Sequence, residues 1–396
     1  DNMRPGLVVQ HSRLPDRNTG LVRSDIAGIV GFIEKSRWPS DATSGDFIEL
    51  YTRRVHDFWD HPDRRLFDQP TQRAVKHFFQ NGGDIAHVFG VCVESLDDLR
   101  QQSAMYGVMA PILDRLRAEE DIALLLIPSA AYMRCSVDSD GGVRADVEAL
   151  YDEMLAHCRE MNNRFLIMDA PQGLHDSLLE RWVRGLRSRH PENRAYGAMY
   201  YPWLKAGDDS FPPSGAVAGT FARVEIEHGT FGVMWPPANI PLRGVTHCEV
   251  DLTWAEAGAY AEQAINPIIV QSGRGVIIFG ARTLSAEPRF HHINTRRVIN
   301  MVHDQLRRDS EWSVFELNNP HLWDVLDRDI RYRLEEFSEA GALVAKGNER
   351  QYQVVCDGSI NTKRSRDKGQ VNVEVMLRPV GTTENVLIDL CIGGNA

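Results

Sequence analysis

Asp169 has the sequence position of a catalytic carboxylate. It follows the apolar run FLIM, which predicts a buried strand, and in parallel α/β sheets reactive side chains lie at the carboxyl ends of strands. Ala170 and Pro171 come next, and Asp and Pro are also expected where a chain simply turns. We therefore favour a structural role, in which Asp169 turns the chain and caps the next helix.

Two further polar groups are candidates for a metal site or an acid–base site. His291 and His292 have Glu287 nearby, but adjacent histidines in one chain rarely point the same way. The other group would lie on one helix face, for which solvation is the default interpretation, and it consists of Glu225, Glu227 and His228. None of the three candidate groups converges with another in sequence, so we predict no metal site.

The motifs that usually accompany enzymatic chemistry are absent from the sequence. There is no GxxxxGK[ST] phosphate loop, no GxGxxG that opens a helix after a strand, no HExxH and no GxSxG. The six cysteines are scattered without a CxxC pair, which indicates free thiols in a reducing compartment. We expect no cofactor and no enzymatic activity. The alternative is a cytoplasmic α/β enzyme with a site near Asp169 or His291-His292.

Charge and hydropathy exclude other classes of protein. The net charge of -11 over 396 residues argues against a nucleic-acid-binding protein, which needs a surplus of Lys and Arg. No apolar run approaches the roughly 20 residues that span a bilayer. The first residues also lack the apolar core of a secretory signal. We expect a soluble chain without membrane insertion and without direct nucleic-acid contact.

The elements that would position these residues alternate between apolar strands and amphipathic helices. Strands are predicted at AHVFGVCV, ALLLIP, RFLIMDAP and AYGAMYYPWL, with helices between them. Such continuous apolar strands predict a largely parallel sheet that helices cover on both faces. A Pro- and Gly-rich segment over residues 211–251 suggests a domain boundary near Thr253. Beyond it, strands are predicted at NPIIVQ, VIIFGAR, EWSVFEL and three closing segments.

We thus predict an α/β fold with mixed, largely parallel sheets and flanking helices, in two packed domains with an extended β arm at each end. The boundaries are 1–24 for the amino-terminal arm, 25–252 for the amino-terminal and middle domain, 253–383 for the carboxyl-terminal domain and 384–396 for the second arm. The β-prone residues of the arms are Leu7, Val8 and Val9, and Val386, Leu387 and Ile388. We expect their backbone groups to be unpaired and to add to the sheet edge of another subunit.

Short motifs run in a fixed order along nearly the whole chain. They include PGLVV, VKHFFQNGG, YYPW, PPSGAVAG and WPPAN, then GRGVIIFGARTL from Gly273 to Leu284 and INTRR from Ile293 to Arg297. Together these motifs resemble the contractile tail sheath proteins of phages, R-type pyocins and extracellular contractile injection systems. The sequence departs mildly from the family pattern, with Phe279 where Trp is frequent and Thr295 where Val is usual.

The resemblance implies a structural subunit that polymerises as stacked hexameric rings around an inner tube and contracts to drive the tube through a target envelope. The implied partners are other copies of the chain, the inner tube protein, and baseplate and terminal cap proteins. Assembly would take place in the bacterial cytoplasm, and the product would be a phage tail or tail-like particle.

The resemblance also implies that the carboxyl-terminal domain lines the inside of the sheath and grips the tube. Two basic features of that domain are candidates for the contact. The first is the predicted helix from His321 to Ala340, with Arg328, Arg331 and Arg333, and the second is a predicted loop with Lys363, Arg364, Arg366 and Lys368. Ordinary solvated surface is the alternative for both features, and we place the helix ahead of the loop.

Overall fold

The computed structural model describes residues 20–38, 41–95, 99, 102–229 and 231–393, so the arm residues Leu7, Val8 and Val9 lie outside the described residues. The strands are β1 (Ala27–Glu34), β2 (Phe47–Thr52), β3 (Ala86–Val93), β4 (Leu124–Leu126), β5 (Cys135–Val137), β6 (Val143–Ala145), β7 (Phe165–Asp169), β8 (Gly197–Tyr201), β9 (Leu204–Ala206), β10 (Asp209–Phe211), β11 (Ile240–Pro241), β12 (His247–Cys248), β13 (Ile265–Gln271), β14 (Gly275–Ile278), β15 (Tyr352–Val355), β16 (Val371–Leu377) and β17 (Val386–Ile392). The helices are α1 (Val55–Trp59), α2 (Gln69–Gln80), α3 (Gln102–Ala118), α4 (Glu148–Met161), α5 (Asp176–Ser188), α6 (Ser214–His228), α7 (Trp254–Glu262), α8 (Ile293–Ser310), α9 (Pro320–Glu339) and α10 (Lys363–Asp367).

The largest sheet of the described chain has nine strands in the order β11-β14-β13-β8-β7-β4-β1-β3-β2. Its centre is parallel, because β1 pairs with β3 and β4, β7 pairs with β4 and β8, and β8 pairs with β13 in parallel register. The outer strands β2, β14 and β11 are antiparallel to their neighbours. The predicted mixed, largely parallel sheet is confirmed.

Helices cover both faces of this sheet, and each face has its own core. On one face Leu113, Met154 and Trp182 of α3, α4 and α5 pack against the strands. On the other face the packing comes from α2 and α6, through Val75 and Phe221. Burial on both sides explains why the central strands are continuous apolar runs rather than alternating ones. No helix in the described ranges is long and apolar enough to cross a membrane.

The change from the first core to the second comes later in the chain than the predicted boundary near Thr253. Strands β13 and β14 follow Thr253 but belong to the nine-stranded sheet, with Ile268 and Ile278 in its core. The second core begins with α8, which packs with α9 against the three-stranded sheet β15-β16-β17. The Pro- and Gly-rich segment does not mark the end of the first core. It contains β11, an edge strand of the first sheet, and an edge strand tolerates a proline such as Pro241.

The predicted strand EWSVFEL is wrong. Residues Glu311–Phe315 form a 3-10 helix directly after α8. Phe315 and Leu317 are 91% and 81% exposed, and Trp312 and Val314 are exposed as well. The apolar residues have the spacing of a strand, but no strand among the described residues pairs with them.

The predicted strand that contains Phe279 is shorter than expected. Val276, Ile277 and Ile278 are buried in β14, which runs antiparallel to β13. Phe279 lies beyond the end of β14 and is half-buried, with its ring centre 5.0 Å from that of Trp254. The expectation that Phe279 is buried on both faces of a strand is therefore wrong.

Candidate functional site

The segment predicted as the carboxyl-terminal arm forms the last strand of the chain's own three-stranded sheet. β17 pairs antiparallel with β16, in a register that runs from Val371 opposite Ile392 to Leu377 opposite Val386. Its four inward side chains are 4% to 7% exposed, and they are Val386, Ile388, Leu390 and Ile392. The expectation that the backbone groups of this segment are unpaired within the subunit is therefore wrong. The alternating apolar residues of β17 bury one face of the strand in the core of its own subunit. β17 pairs on one side only within the described chain, and exchange between subunits stays a prediction.

Most of the arginines proposed on the tube-facing helix are bound to carboxylates of the same chain. Arg331 of α9 lies 2.7 Å from a carboxylate one turn earlier on the same helix. Arg333 lies 2.6 Å from the carboxylate of Asp309, so it joins α9 to α8. Arg328 is exposed and lies 3.4 Å from its neighbour Asp329. Of the three arginines, Arg328 alone projects into solvent.

The predicted basic loop is a short capped helix with a freer positive charge. The Thr362 hydroxyl accepts a hydrogen bond from the Ser365 backbone nitrogen and so caps α10. The basic side chains on this helix are all exposed, and they are Lys363, Arg364, Arg366 and Lys368. No carboxylate of the described residues forms an ion pair with any of these four residues. Exposed basic side chains without an ion pair among the described residues thus lie on α10 and at the residue that follows it, rather than on α9. Which of the two features contacts the tube stays a prediction.

Asp169 lies at the carboxyl end of β7, as predicted, but it caps α6 and not the next helix along the chain. Its Oδ1 accepts a hydrogen bond from the backbone nitrogen of Ser214, the first residue of α6, at 2.7 Å. The side chain is buried, and burial raises the pKa of the Asp169 carboxyl to about 7. The carboxyl fixes the start of a core helix, which is a structural role.

His291 and His292 do not converge on a metal site. His291 Nε2 lies 3.1 Å from the carbonyl oxygen of Ala286, whereas His292 is exposed at the start of α8. Glu287 pairs with Arg289 at 2.8 Å. Each of the three side chains thus has a separate environment.

One group among the described residues has the composition of a metal site, and sequence analysis did not single it out. It consists of Glu49, His87 and Glu119. Arg115 lies between the two carboxylates, with Nε 2.8 Å from Glu49 and Nη2 3.0 Å from Glu119. Because the guanidinium forms ion pairs with both carboxylates and His87 Nδ1 lies 2.8 Å from Glu49, the group is a polar network that joins β2, β3 and the end of α3.

Glu225 is the residue that sequence analysis placed wrongly. It is 3% exposed, and its Oε2 lies 3.0 Å from Nη2 of Arg297 in α8. The same Arg297 nitrogen donates to the carbonyl oxygen of Ser24 at 2.5 Å, and the Ser24 backbone nitrogen donates to Glu225 Oε1 at 3.1 Å. The solvated face predicted for this group holds only for Glu227 and His228, which are exposed.

The Glu225–Arg297 pair connects three parts of the chain: α6 of the first core, α8 of the second, and the segment that leads to the amino-terminal arm. Further along α8, Gln305 accepts a hydrogen bond from the Val22 nitrogen at 2.7 Å and donates to the Gly20 carbonyl oxygen at 3.2 Å. The root of the arm is thus fixed along α8. The signal in the sequence was that α6 is apolar on almost every side, so that a charged residue within it needs a buried partner.

Two family models match consecutive parts of the chain. The phage tail sheath protein central domain matches residues 140–284, and the phage tail sheath C-terminal domain matches residues 285–391. Together they cover more than half of the sequence. The chain belongs to the phage tail sheath family. The junction between the two models falls just before α8, where the second core begins.

Curated relatives match over a limited region. The tail sheath protein of Enterobacteria phage T4 is 25% identical over 141 residues, which are 35% of this chain and 20% of the relative. That of Vibrio phage KVP40 is 24% identical over 139 residues, with the same two shares. The match thus spans about a fifth of the length of these relatives.

Solved structures resemble the chain over almost its full length. The helical sheath of the anti-feeding prophage in the contracted state has a TM-score of 0.67 and 22% identity, and the alignment covers 98% of this chain and 99% of that one. The PVC sheath complex in the contracted state, from an extracellular contractile injection system, has a TM-score of 0.65 and 21% identity, with 98% of each chain covered. A sheath tail protein from Desulfitobacterium hafniense has a TM-score of 0.58 and 10% identity over 98% of this chain and 100% of that one. At these identities the likeness concerns the fold.

Proposed function

We propose that this chain is the sheath subunit of a contractile tail or injection machine. Copies polymerise as stacked hexameric rings around an inner tube, and contraction of the sheath drives the tube through a target envelope. The observation that carries the proposal is that the whole fold, and not one domain of it, resembles that of a contracted helical sheath, with 98% of the chain covered. Family membership over residues 140–391 supports the same function.

Two surfaces of the second core support self-association. Trp312, Val314, Phe315 and Leu317 expose four large apolar side chains within six residues, and such a contiguous patch is typical of a protein interface. β17 has one edge without a strand partner in the described chain, and open edges pair readily with other strands. Identical subunits that bind through different patches form rings and helical filaments.

The arms keep the lattice connected in this proposal. We propose that residues 1–19, which lie outside the described residues, bind a neighbouring subunit, while α8 holds the chain that follows them at Gly20 and Val22. Contraction is then a rigid-body rearrangement of subunits whose arms remain bound. Its free energy comes from the difference between an extended, metastable lattice and a contracted one, and the chain needs no nucleotide.

The proposed partners are other copies of the chain, an inner tube protein, and baseplate and terminal cap proteins. We propose that α10 faces the tube, since its four basic side chains are exposed and free of intrachain ion pairs among the described residues. Assembly takes place in the bacterial cytoplasm, before the subunit becomes part of a phage tail or tail-like particle.

The experiment is negative-stain electron microscopy of the purified full chain over a range of protein concentrations. Hollow tubes of uniform diameter are the expected result, and discrete globules at every concentration would contradict the proposal. A matched pair of variants tests the apolar patch. Phe315→Ser with Leu317→Ser should reduce tube formation without lowering the melting temperature, whereas Tyr332→Ser, at a 70% exposed site on α9, should change neither.

A further inference from the structure

Two adjacent arginines of α8 are buried to the same degree but differ in their partners. Arg296 and Arg297 are 5% and 6% exposed. Arg297 bonds Glu225, whereas no carboxylate of the described ranges lies within ion-pair distance of Arg296. Arg296 Nε donates to Asn300 Oδ1 at 2.9 Å, and its guanidinium carbon lies 4.4 Å from the centre of the Tyr196 ring. Burial lowers the pKa of the Arg296 guanidinium, because a cation without a counter-charge is unfavourable in the interior.

Arg296 lines a cleft of about 660 Å³. One wall consists of α4 and residues 191–196, a second wall is α8, and the third is the first half of β17. Tyr196 and Phe290 both contact the guanidinium, whose carbon lies 4.4 Å and 5.2 Å from their ring centres. The terminal nitrogens Nη1 and Nη2 make no hydrogen bond to a described residue, so they remain available to a group that enters the cleft.

Four carboxylates line the same cleft, and none of them forms an ion pair with Arg296. Glu192 lies 3.7 Å from His190 Nδ1. Glu160 pairs with Arg117 at 2.9 Å, and Glu287 pairs with Arg289 at 2.8 Å. Asp389 projects from the exposed face of β17. The cleft therefore has a fixed cation on its inner wall that its own acidic residues do not neutralise.

We infer that this cleft is a receptor for a carboxylate of a second copy of the chain, which pairs with the Arg296 guanidinium across a subunit interface. The inference rests on the proposed function, because it requires that copies associate. A carboxylate accepts two parallel hydrogen bonds from the terminal nitrogens of an arginine, and the hydrogen bond of Nε to Asn300 and the contacts with the two aromatic rings already restrain the side chain of Arg296. Assembly thus completes an ion pair of which the single subunit holds one half.

Two features favour a polypeptide over a small anion as the source of the carboxylate. The cleft of about 660 Å³ is much larger than one carboxylate group, so a segment of chain fills it better. It also runs along β17, whose outer edge has no strand partner among the described residues and can bind an extended segment through backbone hydrogen bonds. The chain itself supplies the ligand, since it has 55 Asp and Glu residues against 44 Lys and Arg residues.

The test compares three glutamine variants of the purified full chain. Sedimentation gives the assembly concentration, which is the protein concentration above which assemblies form, and thermal melting is measured below that concentration. Arg296→Gln should melt at or slightly above the wild-type temperature, because it removes a buried cation without a carboxylate partner. Its assembly concentration should rise about tenfold or more, because the interfacial pair is lost. Arg297→Gln should lower the melting temperature, because it removes the cation that pairs with the buried Glu225. Arg184→Gln, at an exposed position of α5 outside the cleft, is the matched control and should change neither quantity.

The outcomes separate the inference from the proposed function. Wild-type protein that forms no assemblies would overturn the proposed function and the inference with it. If wild-type protein assembles and Arg296→Gln assembles at the same concentration, the inference alone fails. It also fails if Arg296→Gln melts as low as Arg297→Gln, because the loss of assembly would then reflect unfolding.

Citrate is the probe for a free anion. If citrate raises the melting temperature of wild type but not that of Arg296→Gln, the cleft binds a small molecule, and the inference that a second copy occupies it is overturned.

Discussion

The two sheets of this protein bury their strands in different ways. In the nine-stranded sheet every residue of β3, β7 and β8 is buried, because helices pack on both faces. In the three-stranded sheet the residues of β17 alternate strictly between buried and exposed, because α8 and α9 cover one face only. Helices cover both faces of the first sheet, whereas the second has one uncovered face and an edge, that of β17, without a strand partner among the described residues.

This difference separates folding from assembly along the chain. A strand that is buried on both faces cannot leave its sheet without loss of the core around it. A strand with one buried face and a free edge can contribute to an interface while the first core stays folded. The exposed apolar patch at residues 312–317 and the basic helix α10 lie in the same half of the sequence as β17. We therefore expect changes in the buried part of either core to act on stability, and changes at the exposed surfaces of the second core to act mainly on association.

Removal of residues 385–396 should have the largest effect and should be confined to the second core. β17 contributes four buried apolar side chains, each of which stabilises the fold by about 1.5–3 kcal/mol. Hydrogen exchange should show loss of protection in β15 and β16, while β1, β3 and β7 keep theirs. A truncated chain in which β16 remained protected would show that β17 is dispensable for its own subunit, as an arm would be whose partner is another copy.

Phe165→Ala should destabilise the first core by about 3–5 kcal/mol, because Phe165 of β7 is completely buried. Leu387→Ala is the control in the other sheet, and it should change the free energy of unfolding by less than about 0.5 kcal/mol, since Leu387 lies on the outer face of β17. Phe279→Ala should fall between the two, because Phe279 is only half-buried. Urea unfolding measures all three, and equal losses at Phe165 and Leu387 would remove the distinction between the sheets.

Asp169 should make the stability of the first core depend on pH. Its pKa of about 7 lies above the ordinary value of 3.8, so the folded chain retains a proton that the unfolded chain releases. The contribution of Asp169 to the free energy of unfolding should therefore fall as the pH rises from about 4 to about 7. Asp169→Asn keeps an oxygen that can accept from Ser214 and has no such proton.

The measurement for Asp169 is urea unfolding of both proteins across this pH range. The free energy of unfolding of Asp169→Asn minus that of wild type should increase as the pH rises. Buried histidines such as His77 and His157, whose pKa values burial lowers to about 4 and about 3, titrate alike in both proteins and cancel in the difference. A difference that is constant with pH would contradict the raised pKa.

All three strands of the second sheet and the central strands of the first could be predicted from sequence, since the three closing segments form β15, β16 and β17. The central strands of the first sheet are continuous apolar runs because both of their faces are buried, and this local pattern is visible in the sequence. The position of β13 and β14 in the same sheet could not be predicted from such a pattern, since it depends on pairing with β8, more than sixty residues earlier in the chain. The strand predicted at residues 311–317 was wrong for the opposite reason: its apolar spacing is that of a strand, but no strand in the described part of the chain pairs with it.

Sequence analysis identified the charged residues of the candidate site but not the residues that they bind. Arginines on α9 were recognised as a basic feature, yet the carboxylate of Asp309 that binds Arg333 lies on a different helix. The Glu225–Arg297 pair likewise joins residues 72 positions apart. Composition shows that a charge exists, and only the packing of helices decides whether it remains available to another molecule.

The smallest effect on folding is expected at α10, where the consequences for assembly should be largest. Lys363→Glu, Arg364→Glu and Lys368→Glu together should change the free energy of unfolding by less than about 0.5 kcal/mol, since these side chains are exposed and have no intrachain ion pair among the described residues. Arg331→Glu with Arg333→Glu is the matched control, and it should destabilise the chain, because each new carboxylate would face the aspartate that its arginine now binds.

The assembly experiment mixes the α10 variant with the tube protein. If α10 faces the tube, this variant should form sheaths that are empty or contracted, and the binding of wild-type sheath to the tube should weaken as the salt concentration rises. Extended, tube-filled particles from the α10 variant would remove α10 from the contact and leave Arg328 as the exposed cation to test next.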